Sequence, residues 1–298
     1  MRKLIRSLMN KVGYDFIKVN VHSADKAKKT VPVQVAGFNI LMPGSNPQIS
    51  LYKYYPTSNS QLARLARLVQ NKYPDSTMAD IGANVGDTIA VIRSQSDIPV
   101  IAIEGDAFSY SFLQKNVGQF KDVVILQQFL GEEKKELTVN IEKDGWNNTL
   151  IPNESGTRKL KIITFDNLIA EKNLSNRNLK LIKVDTEGFD TIILRGCKET
   201  ISKHNPVIYF EYNGENMKAI GEDGISTLLS FKSKGYEFIH IYDCINNLIL
   251  VTKLDDTETI RQLHEYTRKD KSMIPYFDIC LFHKDDVNLS DAFYQSEK

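Results

Sequence analysis

The chain is poor in cysteine, and its few cysteines are badly placed for covalent or metal chemistry. Only Cys197, Cys244 and Cys280 occur. They are odd in number, widely spaced and without a C-x-x-C pair, which argues against a disulfide framework and a zinc site. That usage suits a reducing cytoplasm. No apolar run approaches the length of a membrane span. Net charge is only +1, so no global field gathers nucleic acid, and no nucleic-acid partner is expected. His22, His204, His240, His264 and His283 show no metal-ligand spacing, and no metal is expected. His240, in YEFIHIYD, is the one histidine whose strand position keeps a catalytic role open. Trp146, the single tryptophan, sits in the turn-like DGWNNT, where it covers a sugar face or packs in the core.

Charge is uneven at one place. Residues 1–30 carry eight Lys/Arg against two Asp. Within MRKLIRSLMNKVGYDF, residues Leu4, Ile5, Leu8, Met9 and Val12 share one helical stripe. A short helix docked on its own domain is the plain reading. Weak peripheral contact of residues 1–12 with an anionic membrane is the sharper one.

The remainder alternates strands with helices. VPVQVAGFNILM reads as a hairpin turning at Ala36-Gly37, and SNSQLARLARLVQNKY as an amphipathic helix capped by Ser58 or Ser60. Then come strand TMADIG, helix DTIAVIRSQ with Asp87 as cap, strand PVIAIEGD, helix SYSFLQKNVGQF and strand DVVILQQFLG. Residues 131–163 look like an excursion of short strands. Helix TFDNLIAEKNL, strand LKLIKVDTEG, helix FDTIILRGCKETISKH, strand NPVIYFEYN, helix GISTLLSFKSKG and strands YEFIHIYD and YFDICLFHK complete the series. Such alternation implies a doubly wound, mostly parallel α/β sheet. The expected partition is an N-terminal extension over residues 1–70, with short helix, hairpin and helix, and one α/β domain over residues 71–298.

Two acidic motifs sit where strands of such a sheet end. Asp80-Ile81-Gly82-Ala83-Asn84-Val85-Gly86-Asp87-Thr88 joins a strand to a helix, the position of a cofactor-binding turn. It lacks both the G-x-G-x-x-G fingerprint and a Walker lysine. Asp80 at the strand tip would repel a pyrophosphate and attract an ammonium. Glu104 ends the next strand, 18 residues after Gly86, where a carboxylate accepts hydrogen bonds from ribose hydroxyls. A cationic, phosphate-free adenosine ligand satisfies both acids, and S-adenosylmethionine (S-adenosyl-L-methionine) is the common one. In Lys183-Val184-Asp185-Thr186-Glu187-Gly188, alternation puts Lys183, Asp185 and Glu187 on one face. A Lys183–Asp185 ion pair is expected, with Asp185 facing the same crevice as Asp80. Glu211-Tyr212-Asn213 lies at the same edge. Tyr54, Tyr55 and Pro56 could lid the cofactor or pack between the N-terminal extension and the sheet.

MADIGANVGDT, IAIEGDAFSYSFLQKN, TFDNLI, LKLIKVDTEGFDTIILRG and NPVIYFEYN, in this order over residues 77 to 213, resemble the FkbM-type methyltransferases. The resemblance implies a seven-stranded, Rossmann-like class I methyltransferase sheet and methyl transfer from S-adenosylmethionine to a hydroxyl of a sugar, glycan or natural product. It matches Asp80, Gly82, Asn84 and Gly86 to the cofactor loop, Glu104 to the ribose carboxylate, and Asp185 and Glu187 to the acidic pair. Asp87, Thr88, Asp106, Gln128 and Asp185 complete the expected cofactor set, and Asp185 and Glu187 are the catalytic candidates. Gly105 stands where the family often has Pro, and Gln127-Gln128-Phe129 replaces small residues near the expected adenine. The rival readings are a nicotinamide-dependent oxidoreductase and a non-catalytic methyltransferase-like scaffold.

Overall fold

In the computed structural model, residues 29–144, 147–152, 158–269 and 272–298 are described. The expected helix over residues 1–12 with its membrane contact, His22 and Trp146 lie outside them. The hairpin forms as its turn chemistry dictates: β1 (Thr30–Val35) pairs antiparallel with β2 (Phe38–Pro43). Ala36 (φ 49°) and Gly37 (φ 94°) supply the two left-handed residues of a tight turn.

The main sheet contains β3 (Ser76–Ile81), β4 (Val100–Glu104), β5 (Val123–Gln127), β10 (Asn178–Val184), β11 (Val207–Tyr212), β12 (Tyr236–Asp243), β13 (Leu248–Lys253) and β14 (Phe277–His283). Among the described residues it has eight strands rather than seven, in the order β13-β12-β14-β11-β10-β3-β4-β5. Strands β5, β4, β3, β10 and β11 run parallel, whereas β14 is antiparallel to both β11 and β12, and β13 is antiparallel to β12. The extra strand β13 and the helix Thr257–Thr267 escaped the sequence reading because LILVTK is short and bounded by polar turns.

Helices cover both faces. One apolar cluster joins Ile81, Ile103, Phe165, Ile182, Phe210 and Leu281. The opposite one joins Leu65, Met78, Leu181, Tyr209 and Phe282. Burial on both sides explains why these strands read as continuous apolar runs. The hairpin is roofed onto this core by Val35, Ile40 and Tyr52 against Ala90 and Phe112.

Three segments depart from expectation. DVVILQQFLG splits after Gln127, and β6 (Phe129–Leu130) leaves for a separate four-stranded sheet with β7 (Lys135–Asp144), β8 (Asn147–Pro152) and β9 (Arg158–Ile163). The single helix expected over 189–204 is two, Asp190–Arg195 and Lys198–His204, because Gly196 interrupts it. The Ser60–Lys72 helix is preceded by Asn59 in a left-handed conformation, and neither Ser58 nor Ser60 caps it.

Gly196 interrupts for a packing reason. A Cβ there would stand 2.1 Å from the carbonyl oxygen of Gly131, so backbone meets backbone where the Asp190–Arg195 helix ends against the chain leaving β6. Gly196→Ala is expected to cost about 1–3 kcal/mol by overpacking, and a thermal melt should fall by several degrees. An unchanged melt would mean that the second sheet is not held at this contact.

Candidate active site

The strand order reverses between the neighbouring strands β3 and β10, and ligands bind at the carboxyl edge of such a switch point. Both strands end there in acids. The turn after β3 approaches the chain after β10 so closely that a Cβ on Gly82 would lie 1.9 Å from the Asp185 carbonyl oxygen. Gly82 (φ 79°), Asn84 (φ 48°) and Gly86 (φ 86°) are all left-handed, which is the reason for two glycines and an asparagine.

Lys183 reaches into this junction. Its Nζ lies 3.1 Å from Asp80 Oδ1 and 3.4 Å from Asp185 Oδ2, and it donates to the Gly82 carbonyl at 3.4 Å. Burial presses the ammonium towards neutrality, but Asp80 and Asp185 outweigh it and hold its pKa above the ordinary value. On the other side Glu104 accepts from the Asn84 N–H (2.9 Å) and the Asp106 N–H (2.7 Å). Burial, opposed by these hydrogen bonds, raises its carboxyl to about 7.

One cavity runs along this edge. Its lining includes Gly82, Asn84, Asp87, Thr88, Glu104 and Asp106, then Asp185, Thr186 and Glu187 across the switch point. Gly105, Gln128, Phe129 and Ile162 form one wall, and Pro47, Gln48 and Asn59 another. Glu187 has a left-handed backbone, φ 55°. Its Oε2 accepts from Asn216 Nδ2 at 3.0 Å. Burial, then the Asp185 charge, lifts its carboxyl to about 7.

A sequence model of the methyltransferase FkbM domain matches residues 80–238. The chain belongs to the FkbM methyltransferase family. No curated protein matches it. Among solved structures, the FkbM methyltransferase of Methylobacillus flagellatus KT is similar at 17% identity and a TM-score of 0.35, over 51% of this chain and 38% of its own. The chain thus spans well under half of that relative's length. The precorrin-6y C5,15-methyltransferase of Geobacter metallireducens GS-15 is 10% identical over 75% of this chain and 87% of its own, with a TM-score of 0.36. M. jannaschii TYW2, solved with AdoMet, is 12% identical over 85% and 86%, with a TM-score of 0.37.

The FkbM domain brings most of the expected residues together, with corrections. Asp80 is fully buried and does not line the cavity; it is spent on Lys183 rather than available to a ligand's ammonium. Gly86 also stays outside the lining, and its would-be Cβ is 3.0 Å from Leu113 Cδ1, so its role is turn and packing. Asp87 caps nothing: Gly86 precedes the helix, and the Asp87 carboxylate accepts the Tyr52 hydroxyl proton at 2.8 Å. Gln128 lines the cavity, but its amide donates to the Phe129 and Lys161 carbonyls. Glu187 does not continue the strand face of Lys183 and Asp185, because β10 has ended at Val184.

His240 is a core residue. Its Nε2 meets Ser290 Oγ at 2.8 Å, its ring stacks on Phe293, and burial pulls its pKa down to about 4. Tyr54 and Tyr55 are exposed and are not among the residues that line this cavity. Gln48, Tyr52 and Asn59 were missed, because nothing in local sequence announces a contact with the glycine loop.

The Glu187 carboxyl predicts a pH effect. The folded protein keeps that proton to about pH 7, whereas an unperturbed group releases it near 4.5. Stability is therefore lost as pH rises through this window. Glu187→Gln, which can still accept from Asn216, should lose less stability between pH 4.5 and 7 than the parent in urea titrations. Parallel curves would remove Glu187 from the set of perturbed acids.

Proposed function

We propose that this methyltransferase moves a methyl group from S-adenosylmethionine to a hydroxyl oxygen of a small-molecule, sugar or glycan acceptor. The observation that carries the reading is the single cavity with Glu104 on one side and the Asp185–Glu187 pair across the switch point. Residues 71–298 are taken as the catalytic domain, and residues 1–70 as an extension that lends Pro47, Gln48 and Asn59 to its cavity. A cytoplasmic location accords with the cysteine usage.

The lining fits the cofactor chemically. Gln48 Oε1, Asn84 Oδ1 and Thr186 Oγ1 are buried without protein partners, and buried polar atoms call for partners. Each Glu104 oxygen takes one backbone N–H and retains a second lone-pair site, available to a ribose hydroxyl. Asp87, Glu104, Asp106, Asp185 and Glu187 surround the space. These acids favour a cationic ligand and oppose the pyrophosphate of a nicotinamide dinucleotide.

When bound, S-adenosylmethionine supplies a methyl group already activated on a sulfonium. The chain must then align the acceptor oxygen and remove its proton. Asp185, with its side chain 46% exposed, meets the ammonium of the amino-acid end. Glu187 is the proton acceptor. A carboxyl near 7 is matched to work at neutral pH, and Asn216 fixes one oxygen so that the other is aimed. Holding the acceptor oxygen in line with the methyl carbon and the sulfur that leaves it would supply a large part of the acceleration. A left-handed non-glycine backbone at the base is the kind of strain that functional sites retain. Among the described residues, no group of three His, Cys, Asp or Glu is placed to hold a metal ion.

Three measurements test this. S-adenosylhomocysteine should raise the melting temperature and NAD(H) should not; protection by NAD(H) alone would replace the reading with an oxidoreductase. Glu104→Gln should weaken S-adenosylhomocysteine by about 10–100-fold, the cost of one charged hydrogen bond. For the chemistry, labelled-methyl transfer to fractionated glycans, lipids and metabolites should survive chelators and collapse in Glu187→Gln at saturating cofactor. Loss of turnover on chelation, restored by magnesium, would instead give the acids to a cation. Near-parental turnover in both Asp185→Asn and Glu187→Gln would take the pair out of the reaction.

A further inference from the structure

The wall formed by Pro47, Gln48 and Asn59 is fastened from far along the chain. Asn246 lies in the turn between β12 and β13, 187 residues from Asn59. Its Oδ1 accepts from the Asn59 backbone N–H at 2.9 Å and from Ser58 Oγ at 2.9 Å. Its Nδ2 faces Asp278 Oδ2 at 3.4 Å. One side-chain amide thus joins the turn before the Ser60–Lys72 helix to β14.

Both asparagines hold left-handed backbones, φ 63° at Asn59 and φ 69° at Asn246. Asparagine tolerates this conformation best among residues with a Cβ, yet still at some cost. Two such residues bonded to one another indicate a turn that is held in place rather than one that relaxed there. The helix does not need Asn246 for its own position. Gln61 Nε2 donates to Tyr209 Oη at 2.9 Å, and Arg64 makes two hydrogen bonds, 2.6 and 2.8 Å, to the Glu297 carboxylate. What Asn246 adds is the placement of Ser58 and Asn59.

That placement matters at the cavity. Asn59 lines it beside Gln48 and Asp87. Its Nδ2 is 3.5 Å from Tyr52 Oη, whose proton goes to Asp87. The Asn59 amide therefore borders the Asp87 end of the site, where it offers a donor to the carboxylate of an amino-acid head group whose ammonium meets Asp185.

We propose that Asn246 is a positioning residue for cofactor binding: it holds Asn59 against the Asp87 end of the cavity and never touches the ligand itself. The inference rests on the S-adenosylmethionine reading above. Its test is calorimetry with S-adenosylhomocysteine on the full chain, the parent beside Asn246→Gly, Asn59→Ala and their double variant. Glycine keeps the left-handed backbone at no cost, so only the amide is lost. Asn246→Gly should bind about tenfold more weakly, about 1.4 kcal/mol, with little change in melting temperature. Because the effect runs through Asn59, adding Asn246→Gly to Asn59→Ala should cost nothing further. Ser58→Ala removes one of the two bonds and should give an intermediate loss, and it decides the matter if the glycine variant folds poorly. Parental affinity in Asn246→Gly, or losses that multiply in the double variant, would overturn the proposal. A parent that fails to bind S-adenosylhomocysteine would overturn the cofactor reading instead, a separate result.

Discussion

The site depends on one buried cation. Lys183 is 4% exposed and Asp80 not at all, and the two face each other across the paired strands β3 and β10. Without the ammonium, Asp80 would be an uncompensated charge in the apolar centre of the sheet. Breaking such a pair by removing one partner costs about 3–5 kcal/mol. The pair also orders the surroundings, since the same ammonium reaches the Gly82 carbonyl and the Asp185 carboxylate. Loop and acidic strand end are thus locked together from below, and the cavity above them inherits their spacing.

Backbone conformation carries the next layer. Asn84 and Glu187 enter the left-handed region on opposite banks of the cavity. At Asn84 this turns the N–H onto Glu104. At Glu187 it turns the chain beyond the end of β10, and the Gly188 N–H donates to the buried Asp190 carboxylate. Gly188 must be glycine, because a Cβ would meet Asn216 at 2.9 Å. The contact that crowds Gly188 therefore comes from the residue that hydrogen-bonds Glu187.

The acids of this edge are not equivalent. Burial raises Glu104, Glu187 and Asp278 to about 7 and Asp190 to about 8, and Glu211 is also pushed up. All of these except Glu104 share the repulsion of Asp185, itself tied to Lys183.

Periodicity and turn chemistry were enough to read much from sequence. The Ala36-Gly37 hairpin, the alternation of strand and helix and the acids at the ends of β3, β4 and β10 all follow from local rules, because a strand buried on both faces must be apolar until it ends. The family was legible in the spacing of the glycine loop and in KVDTEG. The rest required distance across the fold. Sequence could not show that Asp80 is consumed by Lys183, since that depends on the register of β3 against β10. Nor could it show the eighth strand, which is defined only by its partner β12. The wall from Gln48 to Asn59 was invisible for the same reason: Tyr52 finds Asp87 35 residues away, and Asn59 finds Asn246 at 187. Local sequence encodes what a segment becomes, whereas hydrogen bonds between distant segments exist only once packing has brought their ends together.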